Sequence, residues 1–365
     1  MKISEEELLQ DTPFVAVDLD VMERNIRRMA DLAGEAGVKL RPHTKTHKSP
    51  YIAQLQLDAG ASGITTAKLG EAEVMAEAGI RDILVAFPLV GKAKLARYAK
   101  LLEKAEAMVA LDDFAVAKGL NDVGEALKRR IAVYVDVDTG LHRMGRDPLA
   151  SVEHILAISK LPFIEVRGLM SHTGHAYGLD DMNKVKAVGI EDAALMNKTK
   201  ELLEARGVLV PEISVGATAT ARFIKEIPYA SEMRPGMYVF NDRFVMDAGG
   251  AEEDDCALRV VATVVGNPDS SRIIIDAGSK TLALDAFRHG GHGKIVGHDN
   301  LTLKQLSEEH GKVEVSGMTS IEIGDTVQII PNHVCPVVNL TDRLYGFRDG
   351  KLETVIPVAG RGKNR

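Results

Sequence analysis

The chain has 365 residues, 45% of them hydrophobic and 27% charged, and carries a formal net charge of −7. The acidic balance argues against a nucleic-acid partner, and the length is enough to bury a large core in two domains. Two cysteines, Cys256 and Cys335, make no disulfide framework, the amino-terminal MKISEEELLQD has no apolar signal region, and no apolar run reaches about 18 residues, so a globular, cytoplasmic protein without a membrane span is expected.

Residues 14–19 (FVAVDL) read as a short strand, and Asp20 opens a helix with Val21, Ile26 and Met29 on one side and Arg24, Arg27 and Arg28 on the other. Residues 39–50, KLRPHTKTHKSP, then set three cations (Arg41, Lys45, Lys48) and two histidines (His43, His47) within eight positions. Val38, Lys39 and Leu40 alternate as a strand does, and Pro42 disfavours helix at Arg41, so the basic cluster falls where a strand runs out into a turn. Further on, a strand ends at residues 63–66, and a helix over 69–78 is closed by Gly79. A wholly apolar strand at 83–87 leads to a helix over 95–107. Strands at 108–111, 131–137 and 164–170 alternate with helices over 115–128, 149–159 and 181–206, and residues 213–216 and 238–240 supply the last inner strands.

Repeated β-α units with near-continuous apolar strands predict a parallel sheet with helices outside. About eight such units predict an α/β fold of the closed (β/α)8 barrel type, placed at residues 13–248. From Ala257 the strands come without long helices (LRVVATVVG, SRIIIDAG, GKVEVSG, DTVQIIP, KLETVIPVAG). They predict an antiparallel β-domain over residues 249–365, which the strand at 13–19 is free to join, with Asp349-Gly350 as a hairpin turn.

Several stretches carry chemistry. A lysine among other cations loses part of its preference for the charged form, and a neutral amine is what imine formation with an aldehyde requires, which points to Lys45. The same cluster also reads as a solvated or phosphate-binding turn. VDVDTGLHRMG brings Asp138, His142 and Arg143 to the ligand edge, where Arg143 either donates to a phenolate or carboxylate or pairs with Asp136 or Asp138. His172, His175 and Tyr177 in MSHTGHAYG are candidate proton donors or acceptors, or loop residues satisfying backbone groups. In SVGATAT, small residues let backbone N–H groups approach a phosphate, and the hydroxyls of Ser214, Thr218 and Thr220 can add donors. Arg234 and Tyr238 end the barrel; Arg234 either faces a pyridine nitrogen or pairs with Glu232 or Asp242. His333 and Cys335 in IIPNHVCPVVNL converge if that segment is extended. An imidazole and a thiolate suit zinc or a similar divalent cation with open positions, though a buried Cys beside a hydrogen-bonded His gives the same string. LSEEHG reads as an outer partner of such a metal or as a solvated turn.

RPHTKTHK, VDVDTGLHRMG, SVGATAT, RPGMYVF, IDAGSK, SEEHG and NHVCPVVNLTDR together resemble the D-threonine aldolase and D-serine dehydratase family, along nearly the whole chain and in the expected order. The resemblance implies pyridoxal 5'-phosphate (PLP) with Lys45 as its Schiff-base lysine and Arg143 near the phenolic oxygen. It sets Gly216, Ala217 and Thr218 at the phosphate, and His333 and Cys335 on a divalent metal (zinc, manganese or magnesium). Arg234 matches the pyridine-facing arginine of the more distant alanine racemases. Tyr177 and His-x-Cys look like the dehydratase branch rather than the aldolase branch. The expected activity is therefore loss of water from a D-β-hydroxy amino acid, with retro-aldol cleavage as the alternative and racemisation a third possibility. A homodimer is implied by the family alone.

Overall fold

The computed structural model describes residues 11–365 together with Met1, Ile3 and Ser4; the rest of the acidic amino-terminal stretch, Lys2 and residues 5–10, lies outside the described residues. The chain divides into two units, and the helices Leu19–Ala36 and Pro50–Asp58 each run from one into the other.

One unit comprises Arg27–Lys45, Ile52–Gly236 and Gly362–Arg365. Its eight strands are Lys39–Leu40, Ile64–Thr66, Asp82–Val85, Glu106–Leu111, Ile131–Asp136, Ile164–Met170, Glu212–Val215 and Glu232–Met233. All neighbours pair in parallel, and the last strand lies beside the first. Just past the first strand, His43 bridges Thr65 of the second, and the Thr65 N–H donates to the Pro42 carbonyl at 2.8 Å, which closes the barrel. Period-2 alternation sorts the apolar runs. Ile83, Val85, Val109, Leu111, Val133, Val135 and Leu169 face the helices, whereas Leu84, Ala110, Tyr134 and Met170 fill the interior. Helix starts after the strands are fixed by aspartates: Asp113, Asp147 and Asp181 each accept a backbone N–H of the first helical turn.

Two boundaries differ from the sequence reading. The helix expected over 95–107 is Lys92–Leu101, and the following strand starts at Glu106, where Asp82 and Ile83 pair with Glu106 and Ala107. An alanine in a helix-favouring string is claimed by the ladder, and Tyr98 Oη donates to the Ala107 carbonyl at 2.6 Å. The inner strand expected at 238–240 is a 3-10 turn, Met237–Val239, and the eighth strand is Glu232–Met233. Pro235, lacking an N–H, ends the ladder earlier.

The other unit comprises Met1–Ile26, Thr46–Tyr51 and Met237–Arg361. Its sheet has nine strands, antiparallel except that Phe14–Asp18 runs parallel to Arg343–Arg348 while pairing antiparallel with Leu258–Asp269. Arg343–Arg348 and Lys351–Pro357 form a hairpin whose turn, Asp349 (φ 51°) and Gly350 (φ 81°), is left-handed at both positions, as its Asp-Gly sequence predicts. IDAGSK and SEEHG turn out to be one structural unit: Ser279 N–H donates to Ser307 O at 2.8 Å and Lys280 N–H to Glu308 O at 3.1 Å. SEEHG is a solvated turn, with Glu309 paired to Lys280. Among the described residues no helix is long and apolar enough to cross a membrane.

The closeness of that turn makes a side chain at Gly278 impossible without backbone movement. A Cβ there would lie 2.3 Å from the Glu308 carbonyl oxygen. Gly278→Ala is expected to cost about 1–3 kcal/mol, the range for overpacking, read as a lowered urea midpoint; an unchanged midpoint contradicts this packing.

Candidate active site

In the barrel unit, chemistry collects at the carboxyl ends of the strands. The three cations of RPHTKTHK part company. Arg41 turns into the barrel, where its Nε donates to Glu232 at 2.7 Å and its Nη1 to Asp82. Lys48 belongs to the other unit, where its Nζ donates to Asn339 at 2.7 Å. Lys45 sits in the 3-10 turn Thr44–Thr46 directly after the first strand, its N–H donating to His43 Nδ1 at 3.4 Å. The positive charges around it come instead from Arg143 and Arg234, which with Lys45 bear on both His43 and His172. Burial first, then these cations, hold both imidazoles well below their usual pKa, so they are neutral proton acceptors at physiological pH.

Arg143 is exposed and makes no ion pair among the described residues. Its suspected partner Asp138 accepts instead from the N–H groups of Gly140 and His142 at 3.0 and 2.9 Å and from the His142 ring, which shapes the loop. Arg234 pairs with neither Glu232 nor Asp242. Glu232 is occupied by Arg41 and by Ser214 Oγ at 2.6 Å, Asp242 lies in the other unit, and Arg234 donates to the Ser171 carbonyl. Ser214 is thus turned inside the barrel rather than toward a phosphate. Gly216, Ala217 and Thr218 form the loop before the short helix Thr218–Ala221; Thr218 N–H donates to Tyr177 Oη at 3.0 Å, and Ala217 holds φ 149°, a strained value for a residue with a Cβ. His172 and His175 follow the sixth strand, and Tyr238 lies in the other unit.

The barrel edge fits a cofactor such as PLP. Arg234 Nε, His175 Nδ1 and Thr66 Oγ1 are buried there without a hydrogen-bond partner among the described residues, beside a small-residue loop and one amine. Buried polar atoms are rarely left this way unless a ligand or water satisfies them.

The β-rich unit holds His333 and Cys335. The segment is not extended throughout, as the sequence reading had it. His333 is extended (φ −141°, ψ 115°) and caps the helix Val334–Leu340, in which Cys335 is the second residue. The helix starts there because the buried Asp242 carboxylate accepts the Val334 N–H at 3.0 Å and because Pro336 is tolerated in a first turn. His333 Nδ1 meets Asp285 Oδ1 at 3.0 Å, the ring stacks at a tilt 5.5 Å from Phe244, and Cys335 is within hydrogen-bonding reach of it. Burial opposes the imidazolium, but Cys335, Asp285 and Asp242 outweigh it and push its pKa up to about 11. Cys335 Sγ also donates to Thr46 Oγ1 at 3.4 Å, and Thr46 follows Lys45 in the chain. Among the described residues no group of three or more His, Cys, Asp or Glu is arranged to hold a metal. A soft thiolate and an imidazole oriented by a carboxylate nevertheless fit a divalent cation that keeps open positions. Asp285 escaped the sequence reading, and Asp242 entered it only as a partner for Arg234, because they lie 48 and 92 residues from the groups they bind, with no local pattern.

Residues 17–243 match the family model for the N-terminal domain of alanine racemase, and residues 257–347 match a serine dehydratase domain. The D-threonine aldolase of Arthrobacter sp. is 33% identical over 97% of this chain and 94% of its own. The chain belongs to the D-threonine aldolase and D-serine dehydratase family. The D-threo-3-hydroxyaspartate dehydratase of Delftia sp. (strain HT23) is 32% identical, covering 90% of this chain and 92% of that protein. The solved D-threonine aldolase of Filomicrobium marinum superposes with a TM-score of 0.89 at 30% identity, covering 96% of each chain. Solved variants of a D-threo-3-hydroxyaspartate dehydratase replace a histidine and, two positions later, a cysteine by alanine, the latter in a metal-free form. That is the spacing of His333 and Cys335 here.

Within this family's barrel, Asp136 ends the fifth strand. Burial raises its pKa to about 6, against Arg234 and Arg143 and with help from Asp112. Between its ordinary 3.8 and about 6 the folded chain keeps a proton that the unfolded chain releases, so stability falls as pH climbs through that window. Asp136→Asn removes the penalty. Relative to the parent it is expected to gain stability from pH 4 to pH 7, by up to about 2–3 kcal/mol, in urea titrations; a pH-independent difference would contradict the assignment.

Proposed function

We propose that the chain is a PLP- and divalent-metal-dependent lyase that removes water from D-configured β-hydroxy α-amino acids, giving a keto acid and ammonia. The observation that carries this reading is the His333-x-Cys335 pair, with Asp285 on the imidazole and Thr46 on the thiol, at the spacing of the two residues replaced in the solved D-threo-3-hydroxyaspartate dehydratase variants. When bound, PLP supplies an electron sink conjugated with the substrate α-carbon. When bound, the divalent metal, zinc being the choice that imidazole and thiolate favour, supplies Lewis acidity for the β-oxygen.

The chain's own groups do the rest. Lys45 Nζ would hold the cofactor aldehyde and, once the substrate amine has displaced it, its freed amine would be the group placed to take the α-proton. The Gly216–Ala217 backbone would receive the phosphate together with Thr218, whose N–H donates to Tyr177 Oη at 3.0 Å and so sets the tyrosine beside it. Arg143 supplies positive charge near the phenolic oxygen, and Arg234, a buried cation, borders the ring. Neutral His172 accepts a proton rather than donating one, and His175 is the second candidate base.

Aldol cleavage to glycine and an aldehyde is the second reading, favoured by the 33% identity to the Arthrobacter aldolase. Both routes place negative charge on the same oxygen, and the position of the base decides between them. The reading also carries a cytoplasmic homodimer; that Cys256 and Cys335 are not joined in a disulfide is in keeping with a reducing compartment.

Product analysis with D-serine, D-threonine and D-3-hydroxyaspartate, with and without added divalent metal, tests the proposal. Keto acid and ammonia, lost on chelation, are expected. Glycine would move the assignment to the aldolase, and metal-independent D/L interconversion would overturn the lyase. Lys45→Ala is expected to lose the yellow absorbance of bound cofactor along with turnover.

A further inference from the structure

Thr46–Tyr51 and the helix Val334–Leu340 lie in the same unit and are joined by two side-chain rungs. Cys335 Sγ donates to Thr46 Oγ1 at 3.4 Å, and Lys48 Nζ donates to Asn339 Oδ1 at 2.7 Å. Cys335 and Asn339 are four positions apart, so they occupy one face of the helix. Together the rungs fix both where that helix lies along the segment and how it is turned about its axis. The second rung is held at a cost. Lys48 is only 6% exposed as a residue, and its backbone is left-handed at φ 50°, a conformation lysine rarely adopts. The strained residue is braced from behind: its carbonyl accepts the Gly360 N–H at 2.8 Å, and a Cβ on Gly360 would come within 3.1 Å of the Lys48 Cβ. A residue in so strained a backbone persists only where its surroundings over-determine it.

We propose that Lys48 is a positioning residue for the metal: through Asn339 it holds the helix so that the Cys335 thiolate meets the cation that His333 binds. The inference rests on the reading of His333 and Cys335 as ligands. Supporting groups of this kind typically change metal affinity by about 10–100-fold when removed.

The test uses the PLP-loaded protein with cobalt(II) as the probe, read two ways: affinity by competition with a chromophoric chelator, and the thiolate-to-cobalt charge-transfer band that only a bound Cys335 gives. Lys48→Met and Asn339→Leu are each expected to weaken cobalt binding about 10–100-fold and to diminish the band, with the chain still unfolding in one cooperative step. Asn339→Asp, which preserves an acceptor for Lys48, is expected to retain both. Should Lys48→Met fail to fold, Asn339→Leu carries the comparison. If the folded variants keep affinity and band within about twofold of the parent, or if Asn339→Asp loses as much as Asn339→Leu, the positioning role is overturned while the ligand assignment stands. If the parent gives no thiolate band, or Cys335→Ala binds cobalt as the parent does, the ligand assignment falls and the role of Lys48 with it.

Discussion

The buried carboxylate of Glu232 is the constraint on which the barrel unit turns. It has no solvent exposure, and it is satisfied by Arg41 Nε at 2.7 Å and Ser214 Oγ at 2.6 Å. Those partners lie just past the first strand and within the seventh, and Glu232 opens the eighth, so one anion ties three neighbouring strands at the seam where the last strand meets the first. A buried ion pair of this kind is no bargain against a well-packed apolar core, but leaving either charge alone costs about 3–5 kcal/mol. The seam is therefore specified rather than merely stabilised. It fixes where the first strand stops, and four residues beyond Arg41 the chain presents Lys45.

Electrostatics then divide the labour. Arg41 is spent on the seam and Lys48 on the helix of the other unit, so neither is left to surround Lys45. Arg143 and Arg234 bring the positive field from distant strands, and their effect falls most heavily on His43 and His172, which are kept neutral. An anionic cofactor would meet fixed cations and N–H donors there, while the groups that must accept protons stay unprotonated.

Much of this was legible before any coordinates. Apolar strand runs such as ILV and IAVYV, alternating with helical stretches, set the barrel, and Asp349-Gly350 marked its hairpin outright. Local strings failed where a distant partner decided the outcome. Ala107 reads as helix and is recruited by Ile83; residues 331–336 read as extended until Asp242, remote in sequence, starts a helix at Val334. Ser214 has the composition of a phosphate loop, yet Glu232 claims its hydroxyl. Residue type and spacing identified the chemistry available, and tertiary partners chose which side chains are free to perform it.

The strand Phe14–Asp18 lies in the middle of the β-rich sheet, hydrogen-bonded to Leu258–Asp269 on one side and Arg343–Arg348 on the other. A fragment cut to contain only the carboxyl-terminal part would therefore expose two unpaired edges at the centre of its sheet, an invitation to aggregate. During synthesis the same strand emerges early and has no ladder until the stretch carrying Val261 leaves the ribosome. Its apolar residues must stay shielded through the whole interval in which the barrel is being made.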